Sequence, residues 1–223
     1  MSKPIVNWEQ IQTVLLDMDG TLLDLNFDNH FWQEHVPLRY AELHNLSIEE
    51  SKAVLFPKFR SAEGTLDWYC IDYWSSELGL DIPKLKKEVD HLIAIHPHVV
   101  DFLEQIRESG RRLLLVTNAH IKSLEIKMQQ TQLAGHFDHI VVSHDLGFAK
   151  ENKEFWEKLH SVESYDKDAT LLVDDSLPVL RSAQRYGIAH LLAVRKPDTK
   201  RGEKNVEEFK AIFHFSDIMP VCE

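Results

Sequence analysis

Cysteine is almost missing from this sequence. Cys70 and Cys222 are the two present in 223 residues, with no C-x-x-C spacing, which excludes a disulfide framework and a cysteine zinc site. Basic charge is in deficit: 25 Lys and Arg face 36 Asp and Glu, for a formal charge of -11. Such a surface repels phosphate backbones and anionic lipid, so neither a nucleic acid polymer nor a membrane is an expected partner. A small anionic substrate would need local help, from a bound metal or a few placed Lys or Arg side chains. Long apolar runs are also missing. None approaches the length of a membrane span, and the first ten residues hold no apolar signal core, so a cytoplasmic protein is expected. There is no internal repeat and no low-complexity tract.

What is there is an ordinary globular composition, 43% hydrophobic and 27% charged, at a length that suits one α/β domain with an insertion. Short apolar runs end in polar residues. Val14-Leu15-Leu16 leads into Asp17, Leu113-Leu114-Leu115-Val116 into Thr117-Asn118, and Ile140-Val141-Val142 into Ser143-His144. Leu171-Leu172-Val173 leads into Asp174-Asp175, and Leu191-Leu192-Ala193-Val194 into Arg195. Runs apolar throughout fit strands buried on both faces of a parallel sheet. Apolar stripes at helical spacing over 99–108, 121–130, 154–160 and 177–186 alternate with them, and Gly110 and Gly187 stand as stop signals. Strand–helix alternation predicts a doubly wound, Rossmann-like parallel α/β sheet.

Residues 25–94 break the rhythm. They are far more than one crossover needs, and they are rich in aromatics, with Ser47-Ile48-Glu49-Glu50 reading as a capping box. The expected organisation is an α/β core of residues 1–24 and 95–223, with a helical cap inserted at 25–94.

The chemistry gathers at strand ends, where open α/β sheets place ligands. In Asp17-Met18-Asp19-Gly20-Thr21, one carboxylate can attack phosphorus while the other handles protons, and Gly20 permits a sharp turn. Thr117 and Asn118 can bind phosphate oxygens. Lys150, in the loop after the third run, can neutralise a carboxylate and an incoming phosphate together. Asp174 and Asp175 suit Mg²⁺, which prefers oxygen ligands. Alone, each feature also fits a polar turn or, at Asp175-Ser176, a helix N-cap.

These four motifs, in this order, resemble the haloacid dehalogenase superfamily. The resemblance implies a three-layer sandwich with sheet order 5-4-1-2-3 and a helical cap of the first type. It implies Asp17 as nucleophile and metal ligand, and Asp19 as general acid and base with its backbone carbonyl on the metal. Thr117 would bind phosphate, Lys150 would stabilise charge, and Asp175 would be the main acidic ligand of the last motif. Asp174 stands where many relatives have Gly, in the metal shell or just outside it. Glu151 follows Lys150 where relatives often carry Pro. Asp19 favours phosphoryl transfer over dehalogenation, since a halide needs no proton.

The chain also resembles, nearly end to end, the bacterial GMP/IMP nucleotidases of that superfamily, through Leu15 to Leu25, Phe27-Asp28-Asn29, Phe31-Trp32, Trp68-Tyr69-Cys70, Asp72-Tyr73-Trp74 and Thr117 to His120. That implies a purine 5′-nucleotidase. For the base, Trp68 is a stacking candidate, and Asp28, Asn29 and Asp67 could read its edge. The plainer reading of Trp68, Ile71, Tyr73 and Trp74 is the cap's own hydrophobic core. The alternatives are a sugar-phosphate or phosphoglycolate phosphatase, a phosphomutase, or a protein that binds a phosphorylated ligand without turnover. Thirteen histidines show no zinc spacing, and the basic stretch of Lys196, Lys200, Arg201 and Lys204 reads as a solvated loop.

Overall fold

The structure is a computed structural model that describes residues 4–220. Cys222 lies outside the described residues. Five of the apolar runs form strands: β1 (Thr13–Leu16), β2 (Arg112–Thr117), β3 (His139–Val142), β4 (Thr170–Asp174) and β5 (His190–Val194). They pair in parallel in the order 5-4-1-2-3, as expected. A two-residue strand, β6 (Ala211–Ile212), adds a sixth position outside β5.

β1 is central, with Val14 facing Leu113 on one side and Leu171 on the other. All four of its residues are buried. Alternate side chains feed two separate cores. Val14, Leu16, Leu113, Leu115, Leu171 and Val173 share one apolar cluster, while Leu15, Leu114, Val116 and Leu172 belong to the other. The first face is covered by helix Val99–Glu108, through Val99, Phe102, Leu103 and Ile106. The second is covered by Lys153–Val162 and Leu177–Tyr186, through Phe155, Trp156, Val179 and Leu180. Burying a side chain of this size contributes about 1.5–3 kcal/mol, so both layers are firmly held. No helix among the described residues is long and apolar enough to cross a membrane.

Between β1 and Val99 the chain is helical. It runs through α1 (Asn26–His30), a π turn (Phe31–His35), α2 (Val36–His44), α3 (Ile48–Ala62), α4 (Leu66–Tyr69), α5 (Ile71–Leu78) and α6 (Ile82–Glu88). The capping box forms: Ser47 Oγ accepts from Glu50 N, and Glu50 Oε2 accepts from Ser47 N at 2.8 Å. These helices bury their own cluster, with Phe31, Leu55, Ile71, Trp74 and Ile82 at its centre. Trp68 and Tyr73 pack against it half-buried. The block leaves and rejoins the sheet layer at one place, where Asp24 N donates to the Ala94 carbonyl and Leu23 bridges to Ile95.

Charge also ties the helical block to the sheet layer. Lys127, on the core helix α7 (Ile121–Thr131), is buried and donates to Asp19 Oδ1 and Asp28 Oδ2, each at 2.6 Å. Asp28, on α1, also accepts from the buried Lys86 of α6 at 3.0 Å. Burial opposes ionisation of Asp28, but the two ammonium groups outweigh it and hold its pKa at about 2. Asp28→Ala therefore leaves two buried cations short of a partner. Its expected cost is about 3–5 kcal/mol of stability, read from the denaturant midpoint; a loss below about 1 kcal/mol would mean the chain of charges is not structural.

Candidate active site

The loop after β1 is a tight turn. The Met18 carbonyl accepts from Leu22 N at 2.9 Å and Leu23 N at 2.8 Å, while Gly20 N donates to the Leu23 carbonyl at 2.7 Å. Gly20 sits at φ +81, and a Cβ there would lie 2.8 Å from Asp175 Cγ. Gly20 thus lets Asp175 approach the loop. The turn leaves Asp17 at the end of β1, beside the ends of β2 and β4.

Lys150 occupies the centre. It is 1% exposed, and its ammonium donates to Asp17 Oδ1 at 2.5 Å, Asp174 Oδ2 at 2.7 Å and the Val116 carbonyl at 3.0 Å. All three donors are used. Burial works against its charge, but Asp17 and Asp174 outweigh burial and raise its pKa. Asp17 is raised to about 6, chiefly by burial, with Lys150 opposing and Asp174 adding. Asp175 is raised to about 6 by burial, with Lys204 opposing and Asp17 adding. Asp174 is also raised, again chiefly by burial.

Carboxylate oxygens of Asp17, Asp174 and Asp175 all lie within 4.8 Å of one another. Three buried acids this close, with raised pKa values, are short of positive charge. Their donors are hard oxygens, the kind a small divalent cation prefers, so the residues fit Mg²⁺. Asp174 stands apart within the trio. Its Oδ2 is taken by Lys150 and its Oδ1 accepts from Ser176 N at 2.9 Å, which makes it the group that orients Lys150. The Asp19 carboxylate is outside the trio and is bonded to Lys127 instead. Ser176 is the N-cap of the helix Leu177–Tyr186, yet no side-chain capping bond forms there.

Gly20→Ala tests this crowding. The added methyl must displace Asp175, so an expected consequence is an at least tenfold weaker apparent affinity for Mg²⁺, read from the Mg²⁺ dependence of turnover. An unchanged dependence would show that Asp175 does not hold the ion.

Asp17, Asp19, Asp28, Asn29, Trp68, Thr117, Asn118, Lys150, Asp174 and Asp175 all line one cavity of about 720 Å³. The helical block adds aromatic lining through Trp32, Phe56 and Phe59. Thr117 is buried, and its Oγ1 accepts from Ala119 N at 3.0 Å, which fixes the strand end.

Three expectations, all for reading the base, need correcting. Asp28 is no base reader, since both of its oxygens are held by Lys127 and Lys86. The Asn29 amide donates to Asp198 at 2.6 Å and its carbonyl oxygen accepts from Gln33, so its side chain is spent on structure. Asp67 is exposed and does not line the cavity. The Asn118 carboxamide accepts from Lys150 N at 2.9 Å and donates to Glu151 Oε2 at 3.0 Å, so its side chain shapes the Lys150 loop while the residue still lines the cavity.

The sequence did not show the roles of other residues. Lys127 sits in a helix with a weak apolar stripe, and nothing local marks it as the partner of Asp19. Lys204 belongs to the stretch read as a solvated loop, yet its ammonium donates to the Asp175 carbonyl at 2.6 Å. Glu151 accepts from the Tyr69 hydroxyl of α4 at 2.5 Å. Burial first, then Glu151, raises the pKa of Tyr69, which keeps it a neutral donor. Glu151 therefore links the helical block, Asn118 and the Lys150 loop.

A family model described as haloacid dehalogenase-like hydrolase matches residues 11–187. The chain belongs to this family of hydrolases. Among its relatives, the GMP/IMP nucleotidase YrfG of Escherichia coli is 35% identical over 215 residues, spanning 96% of this chain and 97% of that protein. Of solved structures, a haloacid dehalogenase-like (HAD) phosphatase from Thermococcus onnurineus superposes with a TM-score of 0.73 at 19% identity, covering 90% of this chain and 92% of that one. The magnesium-bound HAD hydrolase YfnB of Bacillus subtilis superposes with a TM-score of 0.64 at 20% identity, covering 93% and 96%. These two likenesses concern the fold.

Proposed function

We propose that this HAD-like hydrolase is a cytoplasmic, magnesium-dependent phosphomonoesterase that hydrolyses purine nucleoside 5′-monophosphates, GMP and IMP, through an aspartyl-phosphate on Asp17. The observation that carries the reading is the buried Lys150 joining Asp17 to Asp174, with Asp175 alongside and a second acid, Asp19, on the same turn. The substrate class rests on the extended similarity to the nucleotidase YrfG. In this reading residues 1–24 and 95–223 are the catalytic core, and the helical block at 25–94 is a cap over its site.

Asp17, Asp175 and the Asp19 backbone would hold Mg²⁺, with Asp174 beside them. The ion supplies positive charge against the phosphoryl oxygens and lowers the repulsion toward an anionic nucleophile. Lys150, bonded to Asp17, would add further charge, and Thr117 at the end of β2 would contact the phosphate. A carboxylate oxygen of Asp17 forms a bond to phosphorus as the bond to the ribose 5′-oxygen breaks. Asp19 delivers its proton to that oxygen. Water then attacks phosphorus, its proton passes to Asp19, and the bond to Asp17 breaks to release phosphate.

Asp19 suits both half-reactions. Burial, opposed by Lys127, raises its pKa to about 6, near enough to neutrality to exchange a proton during turnover. Its contact with Lys127 at 2.6 Å favours the ionised form, which is the one that activates water.

A phosphate-release screen tests the proposal. With Mg²⁺, GMP and IMP are expected to give the highest kcat/KM among nucleoside monophosphates, sugar phosphates and phosphoglycolate. Chelation is expected to abolish release, and added Mg²⁺ to restore it. A clear preference for a sugar phosphate or phosphoglycolate would defeat the nucleotidase reading. No release from any monoester would defeat the phosphatase reading as well.

A further inference from the structure

The purine reading leaves the base without a partner, because the side chains first expected to read it are engaged elsewhere. Two polar residues of the helical block line the cavity with their side chains uncommitted. Arg60 lies in the last turn of α3 and Glu63 is the C-cap residue of that helix. Both line the cavity, and both are exposed. Neither forms an ion pair or a side-chain hydrogen bond among the described residues. By contrast, Lys86 and Tyr69, which line the same cavity, are committed to Asp28 and Glu151. Trp32, Phe56 and Trp68, each half-buried, line the same cavity.

We propose that Arg60 and Glu63 read the base of the nucleotide, selecting 6-oxopurines over adenine, while Trp32, Phe56 and Trp68 provide the apolar surface on which the ring lies. The proposal rests on the nucleotidase reading and deepens it.

The chemistry follows from the atoms on each base. Guanine and hypoxanthine share an acceptor pair, O6 and N7, and a donor, N1–H. A guanidinium matches the acceptor pair with two N–H groups, and a carboxylate accepts from N1–H. Guanine adds a second donor, its 2-amino group, next to N1–H, which lets the two Glu63 oxygens accept a pair of bonds. Adenine reverses the pattern, with an amino donor at position 6 and an acceptor at N1. It would set donor against donor at Arg60 and acceptor against acceptor at Glu63. Such mismatches exclude a ligand more strongly than a loose fit does, because water is displaced and nothing replaces it. The aromatic surface binds any purine and adds affinity without choosing between them. The division of labour follows the lining of the cavity: Asp17, Thr117 and Lys150 enter it from the sheet layer, and Arg60 and Glu63 enter it from the helical block.

The experiment measures kcat/KM for GMP, IMP and AMP with wild-type protein, Glu63→Gln and Arg60→Met, in saturating Mg²⁺. Wild type is expected to prefer GMP and IMP to AMP. Glu63→Gln places a donor where N1 of adenine accepts and where guanine presents donors. The IMP-to-AMP ratio should fall about tenfold or more, and GMP should lose more than IMP. Arg60→Met should lower that ratio by a similar factor. A variant that merely folds poorly would lose all three substrates in proportion and leave the ratios unchanged. Ratios within about twofold of wild type in both variants, with wild type still preferring GMP and IMP, would overturn the assignment of the base readers alone. A wild-type protein inactive on GMP and IMP would overturn both this assignment and the nucleotidase reading.

Discussion

Asp17→Asn protein is expected to fold as well as wild type and to lose at least about 10,000-fold in turnover of IMP, the scale on which removal of a nucleophile acts. The two halves of this expectation have separate causes. An amide oxygen cannot displace the ribose 5′-oxygen from phosphorus, so the chemical step is lost. Stability behaves differently, because burial works against the charged form of Asp17. Its folded pKa of about 6 lies above the ordinary aspartate value near 3.9. For such a group the stabilising contribution is complete below the unfolded pKa and is lost as pH rises through about 6. Asparagine does not titrate, and Lys150 keeps its bond to Asp174. At pH 7 without metal, the denaturant midpoint should equal or exceed that of wild type. Turnover within tenfold of wild type would remove Asp17 from the reaction. A large loss of stability would show that its carboxylate is a structural anchor.

Lys150→Met is expected to do the opposite and damage both properties. The methionine fills much of the lysine's volume, but Asp17 and Asp174 then face each other in a buried site with no cation. Removing one partner of such a group costs about 3–5 kcal/mol. Turnover should fall by about 100- to 1,000-fold, since a fixed charge beside the phosphoryl group is gone. Both carboxylates already have raised pKa values, and losing Lys150 raises them further. The stability deficit should therefore grow as pH increases from about 5 to 8, when the acids are forced to ionise. Lys150→Arg should not restore turnover, because a planar fork cannot place three donors on two carboxylates and the Val116 carbonyl. Denaturation curves at the two pH values, together with kcat, check each part. A midpoint unchanged at pH 8 would mean that the three-acid cluster does not depend on Lys150.

Much of the fold was legible because each core strand is a short contiguous run with its polar residue at one end. Leu15 and Leu16 predict burial, and Asp17 predicts where the strand stops. The same economy made the catalytic motifs readable, since Asp17, Asp19 and Gly20 are local to one turn. β6 escaped because two residues carry no period. The base-reading expectation at Asp28 and Asn29 failed for a different reason. A carboxylate near the catalytic loop looks free in sequence, but its fate depends on Lys127 and Lys86, far along the chain and buried only once the helical block packs. Lys204 and Glu151 were hidden likewise: a loop lysine and an acid in an unusual place acquire meaning through Asp175 and Tyr69. What sequence shows poorly here is which polar side chains are already satisfied.

The central claim is that the phosphoryl group resides on Asp17 between the two half-reactions. Asp19→Ala protein offers the clearest view when given p-nitrophenyl phosphate, whose leaving group needs no proton, because attack can proceed while the following hydrolysis lacks its base. Acid quenching within the first turnover, digestion and mass spectrometry should find a phosphoryl adduct on the peptide containing Asp17, in step with the nitrophenol burst. A burst with no adduct, or an adduct on a different residue, would contradict the account.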